Sequence, residues 1–156
     1  MPKAKNENIF IEFKGTDVLK KNFVLSINTG IDISEKVAYS QNQFSFNDAI
    51  FRKKGLYWLY IKNDKVLFKT NLEMKEIRDV SGKVLYKSKG LAKNKRQWID
   101  SNTRTIRSTS SLRNEKKGIK VASLDTAEMN DLSRIMLLER MMYSKNVELS
   151  NASVVF

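Results

Sequence analysis

The sequence predicts an α+β protein: an antiparallel β-meander region, a C-terminal amphipathic helix, and a basic arm or helix-loop between them. Three observations predict it. Residues 55–70, GLYWLYIKNDKVLFKT, are the most apolar and aromatic run and read as two strands around an Asn63-Asp64 turn. Short segments of alternating apolar and polar residues, separated by turn signals, lie on both sides of that run. The last apolar pattern, from about residue 125 to 146, repeats with helical period.

The elements follow in order. Residues 8–14, NIFIEFK, alternate as a strand. Residues 22–29 are a second strand, with Phe23, Leu25 and Ile27 on one face, and Asn28-Thr29-Gly30 is a turn signal. Ile31 and Ile33 allow the strand pattern to resume. Residues 41–54 are ambiguous: Phe44 and Phe46 alternate, while Asn47 or Asp48 could cap a short helix through Phe51. After the central hairpin, residues 73–78 and 83–88 read as two more strands joined by Asp79-Val80-Ser81-Gly82. Four short strands with short turns make a meander.

Gly90 ends that pattern. Residues 91–100, LAKNKRQWID, read as a short helix with Leu91, Trp98 and Ile99 near one face and Lys93, Lys95 and Arg96 outward. Residues 101–112, rich in Ser and Thr, have the composition of a loop or arm. A strand is possible at residues 119–123. Ser123 or Asp125 is the expected helix N-cap, with Glu128 three residues after Asp125 as in a capping box. On a helical wheel Met129, Leu132, Ile135, Met136, Met142 and Tyr143 form one broad apolar face with Glu139 near its middle. A carboxylate there must be paired, protonated or bound to a metal, and a structural partner such as Arg78 or Arg134 is expected. Leu137 and Met141 fall on the other side, which points to further contact with the sheet, with the arm, or with a protein partner or second copy docking on the helix at residues 125–146.

Length and composition bound the function. The 156 residues suit one domain, 1–156: a β-rich core over 1–90, a basic helix-loop or arm over 91–120, a packing helix over 121–146 and a tail over 147–156. The chain has neither cysteine nor histidine. That excludes disulfides, thiol catalysis, cysteine- or histidine-bound zinc and the Ser-His-Asp triad. No cofactor or metal is expected, and a binding protein is favoured over an enzyme. Neither a signal-like apolar run nor a span of roughly 20 apolar residues is present, so a cytoplasmic protein with no membrane association is expected.

The charge is concentrated. Of the net +12, residues 1–51 contribute 0, residues 52–82 contribute +4, residues 83–120 contribute +10 and residues 121–156 contribute −2. A block of this kind repels itself unless it is solvated or neutralised, and a phosphate backbone neutralises it. Phosphate contact is therefore expected from Lys87, Lys89, Lys93, Lys95, Arg96, Arg104, Arg107, Arg113, Lys116, Lys117 and Lys120. Trp98 could stack on a base, although a lone tryptophan more often sits in a core. The aromatic set Tyr57, Trp58, Tyr60 and Phe68 reads as core by strand alternation. The leading expectation is a DNA- or RNA-binding or nucleoprotein-assembly protein, a build that would suit a phage or mobile element. A structural or inhibitory protein that binds an acidic protein surface through the same block is the alternative.

Two short patterns touch catalysis. Asp64 followed by Leu72-Glu73-Met74-Lys75 resembles the carboxylate pattern of restriction-endonuclease-like nucleases. That resemblance implies Mg²⁺ held by Asp64 and Glu73, with Lys75 aiding the attacking water. Gly55-Leu56-Tyr57, with Glu139 and Asn151, resembles parts of the GIY-YIG nuclease pattern. There Val66-Leu67-Phe68 departs from the second triplet and Lys75 stands at the usual Arg position.

Overall fold

The computed structural model describes the backbone of residues 10–15, 22–28, 32–39, 42–91, 94–116, 119–125 and 130–154, and the side chains of residues 37–39, 42–91, 94–113, 121–125 and 130–143. The chain is an α+β fold, an antiparallel meander with one C-terminal helix. The strands are β1 (Phe10–Gly15), β2 (Asn22–Asn28), β3 (Asp32–Tyr39), β4 (Gln43–Ser45), β5 (Ile50–Lys54) and β6 (Tyr57–Lys62). They continue as β7 (Lys65–Asn71), β8 (Glu76–Asp79), β9 (Val84–Gly90), β10 (Lys95–Asp100), β11 (Ile106–Lys116) and β12 (Ile119–Asp125). The helix is α1 (Asp131–Val154).

Each strand pairs antiparallel with the next, and β1 pairs with both β2 and β12, so the sheet closes into a barrel. Phe10 lies opposite Asn28 on one side and Asp125 on the other. Closure leaves none of the described strands with an unpaired edge to recruit another chain. The turns use the expected chemistry. Asn63 and Asp64 both have positive φ, 54° and 61°, as a two-residue hairpin turn between twisted strands requires. The ambiguous 41–54 segment is a hairpin rather than a helix: Phe44 faces Phe51 across β4 and β5, and residues 46–49 turn between them.

A barrel of about eight strands is filled by its own side chains, so twelve leave a wider lumen. Helix α1 fills it. Seven consecutive helical residues, 135–141, are each no more than 2% exposed. At 100° per residue that run sweeps almost two full turns, so no side of the helix meets solvent there. Strand alternation supplies the surrounding wall: Phe51, Trp58, Tyr60, Thr70, Ile77, Trp98, Ser108, Ser110, Ala122 and Leu124 are all buried. Phe51 stacks on Trp58 with ring centroids 5.2 Å apart, and Phe44 and Tyr39 extend the aromatic wall.

This packing revises several expectations. Leu137 and Met141 are buried inside the barrel and are not available to a partner or second copy, because the helix is enclosed rather than laid on one sheet face. Residues 95–100 are strand β10, not a helix, and residues 106–116 are strand β11, not an arm. The helix starts later than expected. Asn130 is its N-cap, accepting the Ser133 N–H at 2.9 Å, while Asp125 ends β12 and accepts the Thr109 N–H at 2.6 Å. Glu128 lies outside the described residues.

The first turn of α1 is tied to the barrel by polar side chains. Tyr60 donates its hydroxyl proton to Asp131 at 2.6 Å, and Arg134 donates to the Tyr60 oxygen at 2.8 Å and to Asp48 at 2.7 Å. Lys62 stands 3.5 Å from both carboxylates. Burial pushes the Tyr60 hydroxyl pKa up, and its bond to Asp131 adds to that, so the phenol stays protonated. Burial alone would raise the Asp48 carboxyl too. The Arg134 bond and charge, with Lys62, outweigh it and hold the pKa below the usual range. A depressed carboxyl stabilises the fold above its unfolded pKa, and that contribution is lost as pH falls through the folded one. Unfolding midpoints taken from about pH 5 down to about pH 2 are therefore expected to fall less steeply in Asp48→Asn than in the parent chain. Asp48 is half exposed, so the difference should stay under about 1 kcal/mol. Identical slopes would remove Asp48 from the acid response.

Candidate nucleic-acid interface

Because residues 84–90, 95–100 and 106–113 lie in strands, their side chains alternate between lumen and solvent. The basic block therefore splits. Lys87, Lys89, Lys95 and Arg113 are exposed on β9, β10 and β11, and Arg104 and Arg107 are exposed in and beside the β10–β11 turn. Lys83, on the β8–β9 turn, joins them. Between residues 83 and 113 Asp100 is the one acidic residue, against nine basic ones.

Arg96 belongs to the other set. An outward side chain is expected from the sequence, but Arg96 is buried on the lumen side of β10, where Nε stands 3.1 Å from Glu139 Oε2 and Nη1 donates to Ser88 Oγ at 3.0 Å. Trp98, two residues on, shares that face. Its indole is fully buried and donates to Ser110 Oγ at 3.1 Å, so it is core and not a stacking platform. Arg96 and Trp98 are thus removed from the phosphate- and base-contacting set. Lys93 and Lys117 lie outside the described residues. Lys116 and Lys120 sit on β11 and β12, where only the backbone is described.

The barrel also adds cations from outside the basic block. Across the outer face of β5 to β8, Arg52 lies opposite Leu59, Leu59 opposite Lys69, and Lys69 opposite Arg78. Lys69 and Arg78 are like charges on paired positions, an arrangement that repels unless relieved. Glu76 relieves it: it binds the Arg78 guanidinium at 2.7 and 2.8 Å and lies opposite Lys87 on β9. The belt thereby runs from the Arg52 cluster to Arg113, with neighbouring strands about 4.8 Å apart. The signal is present in the sequence as cations at matching phases of successive strands, but only the register aligns them. This outer face is charged, whereas the lumen is lined mainly by apolar side chains around the paired Glu139, Arg96 and Arg140, unlike a barrel that turns an apolar band to lipid. Among the described residues, no helix is long and apolar enough to cross a membrane.

The carboxylate pattern does not assemble. Asp64 and Glu73 flank opposite ends of the seven-residue strand β7, about 20 Å or more apart, so they cannot share one Mg²⁺. Glu73 instead pairs loosely with Lys75 at 3.8 Å. Glu73 and Lys75 do line a pocket of about 160 Å³ with Glu139, but Glu139 is already neutralised by two arginines. The side chain of Asn151, the remaining residue of the second nuclease pattern, lies outside those described. Glu139 takes Arg96 and Arg140 as partners, whereas Arg78 binds Glu76 and Arg134 binds Asp48. Among the described residues no group of three or more acidic side chains is placed to hold a metal ion.

In comparisons with known proteins, no family model, no curated protein and no solved structure matches this chain.

Proposed function

We propose that this chain binds nucleic acid through the outer face of β9, β10 and β11 and the turns at their ends, chiefly by phosphate contact. The observation that carries this reading is the set of seven exposed cations, Lys83, Lys87, Lys89, Lys95, Arg104, Arg107 and Arg113, in a stretch of sequence whose one acidic residue is Asp100. Cations on a rigid sheet are spaced by the strand and the ladder, so they present a surface to a polyanion instead of collapsing around it. Lysine and arginine release condensed counterions when they meet phosphates, which supports affinity without base readout.

The test is a salt series with labelled single- and double-stranded DNA and RNA. Replacing Lys87, Lys89 and Lys95 together with alanine should weaken binding to every sequence alike. It should also lower the slope of log affinity against log salt by about three, one for each phosphate that the variant no longer neutralises. These side chains are exposed, so thermal stability should hold within about 0.5 kcal/mol per site. An unchanged slope would remove this face from the interface.

A further inference from the structure

The barrel mouth at which α1 begins holds a pocket of about 270 Å³ beside the basic face, lined by Lys83, Val84, Tyr86, Asp100, Asn102 and Leu132. Pockets for drug-sized ligands start near 300 Å³, so this one suits a single planar ring system. Its walls are assigned by the strands. Asp100 ends β10 directly opposite Tyr86 on β9, and Leu132 comes from the first turn of the helix.

Three features define what it can take. First, the ladder between β10 and β11 slips at Trp98/Ile99, a bulge that re-aims the side chain beside it. The Arg107 guanidinium carbon lies over the Tyr86 ring, 5.8 Å from its centre, so the aromatic wall of the pocket carries a cation–π contact. Second, Asp100 Oδ1 is used by the turn, accepting the Asn102 and Thr103 N–H groups at 2.8 and 3.1 Å, while Oδ2 makes no hydrogen bond among the described residues. The next residue, Ser101, has a buried Oγ that is also without a partner among them. Third, the charges are ordered: Lys83, Arg104 and Arg107 are exposed around the mouth, and the one carboxylate lies in the pocket. An anion would be repelled from the interior, and a plain cation by the rim. A nucleotide fits both zones, with phosphate outside and an amino-bearing base within.

We propose that this mouth receives one unpaired, amino-bearing nucleobase of a single strand whose phosphates follow the basic face. The inference rests on the nucleic-acid reading given above and adds base preference to it. The base stacks against Tyr86 in the pocket wall, and Arg107, which lies over that ring, extends the stack, as unpaired bases do on aromatic and guanidinium planes. An ionised Asp100 is acceptor-only, so Oδ2 accepts the exocyclic amino group of cytosine or adenine. Thymine and uracil have no amino group to offer it.

The experiment compares labelled oligo-dC, oligo-dA and oligo-dT of one length across a salt series. The parent chain should hold oligo-dC and oligo-dA about tenfold more tightly than oligo-dT, a difference of one good base contact. Asp100→Asn keeps an oxygen for the turn and places an amide donor at the other position, so its preference should shift toward oligo-dT. Tyr86→Leu should weaken all three by at least about fivefold and leave the salt slope unchanged. Equal affinities for all three strands, with steep salt dependence retained, would overturn the base pocket and leave phosphate binding standing. Unaltered affinity in Tyr86→Leu would overturn it as well. Absence of binding at low salt would overturn both readings.

Discussion

Replacing Glu139 with alanine is expected to bring the barrel close to unfolding. Glu139 is 2% exposed and accepts two hydrogen bonds from Arg140, at 2.6 Å on Oε1 and 2.8 Å on Oε2, with Arg96 Nε 3.1 Å from the same Oε2. The three side chains meet inside the lumen, where two guanidinium charges already exceed the single carboxylate. Ser88 Oγ and the Tyr143 ring, 4.6 Å from the Arg140 guanidinium carbon, supply the remaining support. Arg96 Nε is near Oε2 yet off the line of a hydrogen bond, so its charge is balanced more fully than its donor is. Removing the carboxylate leaves two buried cations with no counter-charge. Breaking a buried pair in this way costs about 3–5 kcal/mol, against a total stability of about 5–15 kcal/mol for a domain. Urea denaturation followed by tryptophan fluorescence measures it. A companion variant, Arg96→Met with Glu139→Leu and Arg140→Met, should recover most of the stability, because replacing a whole buried network by apolar side chains is often neutral. A Glu139→Ala midpoint equal to that of the parent chain would show that the three groups do not depend on one another.

Trp98→Ala is the second large effect, about 3–5 kcal/mol of destabilisation. The indole is fully buried among the lumen residues, and its deletion opens a cavity against α1 that a closed barrel cannot collapse to fill. It also strips Ser110 Oγ of the Trp98 donor, leaving it the Arg96 carbonyl at 3.3 Å. The variant separates two roles for this residue. A core tryptophan lowers stability and leaves nucleic-acid affinity of the folded fraction unchanged. A stacking tryptophan would do the reverse, losing affinity at constant stability. Calorimetry and strand binding on the same preparation tell them apart.

Much of the strand framework is legible in the sequence because its elements carry period-2 apolar patterns and turn chemistry. The hairpin at residues 57–71, with Asn63-Asp64 between its strands, is the clearest case: Trp58 and Tyr60 face in and Tyr57 faces out, as alternation requires. Strand β10 escapes a local reading because an arginine occupies one of its inward positions. Lys95-Arg96-Gln97-Trp98 shows no apolar alternation until Glu139 is known to wait inside for Arg96. Strand β11 is hidden for a related reason. Its lumen positions include Ser108 and Ser110, small polar residues that make room for the helix and bind Met136 and Trp98. Those partners lie 28 and 12 residues away in sequence, beyond the reach of any local pattern.

The sequence by itself determined the strand periods, the turns, the existence of one C-terminal helix and the concentration of positive charge between residues 83 and 120. It also placed Glu139 where a buried partner was obligatory. Only the tertiary structure decided that β1 and β12 pair, that the sheet closes, and that the helix lies within it. Those decisions turned Arg96, Trp98, Leu137 and Met141 inward and brought Arg52, Lys69 and Arg78 alongside Lys87. Periodicity sets which residues share a face, whereas closure sets whether that face meets water or another wall.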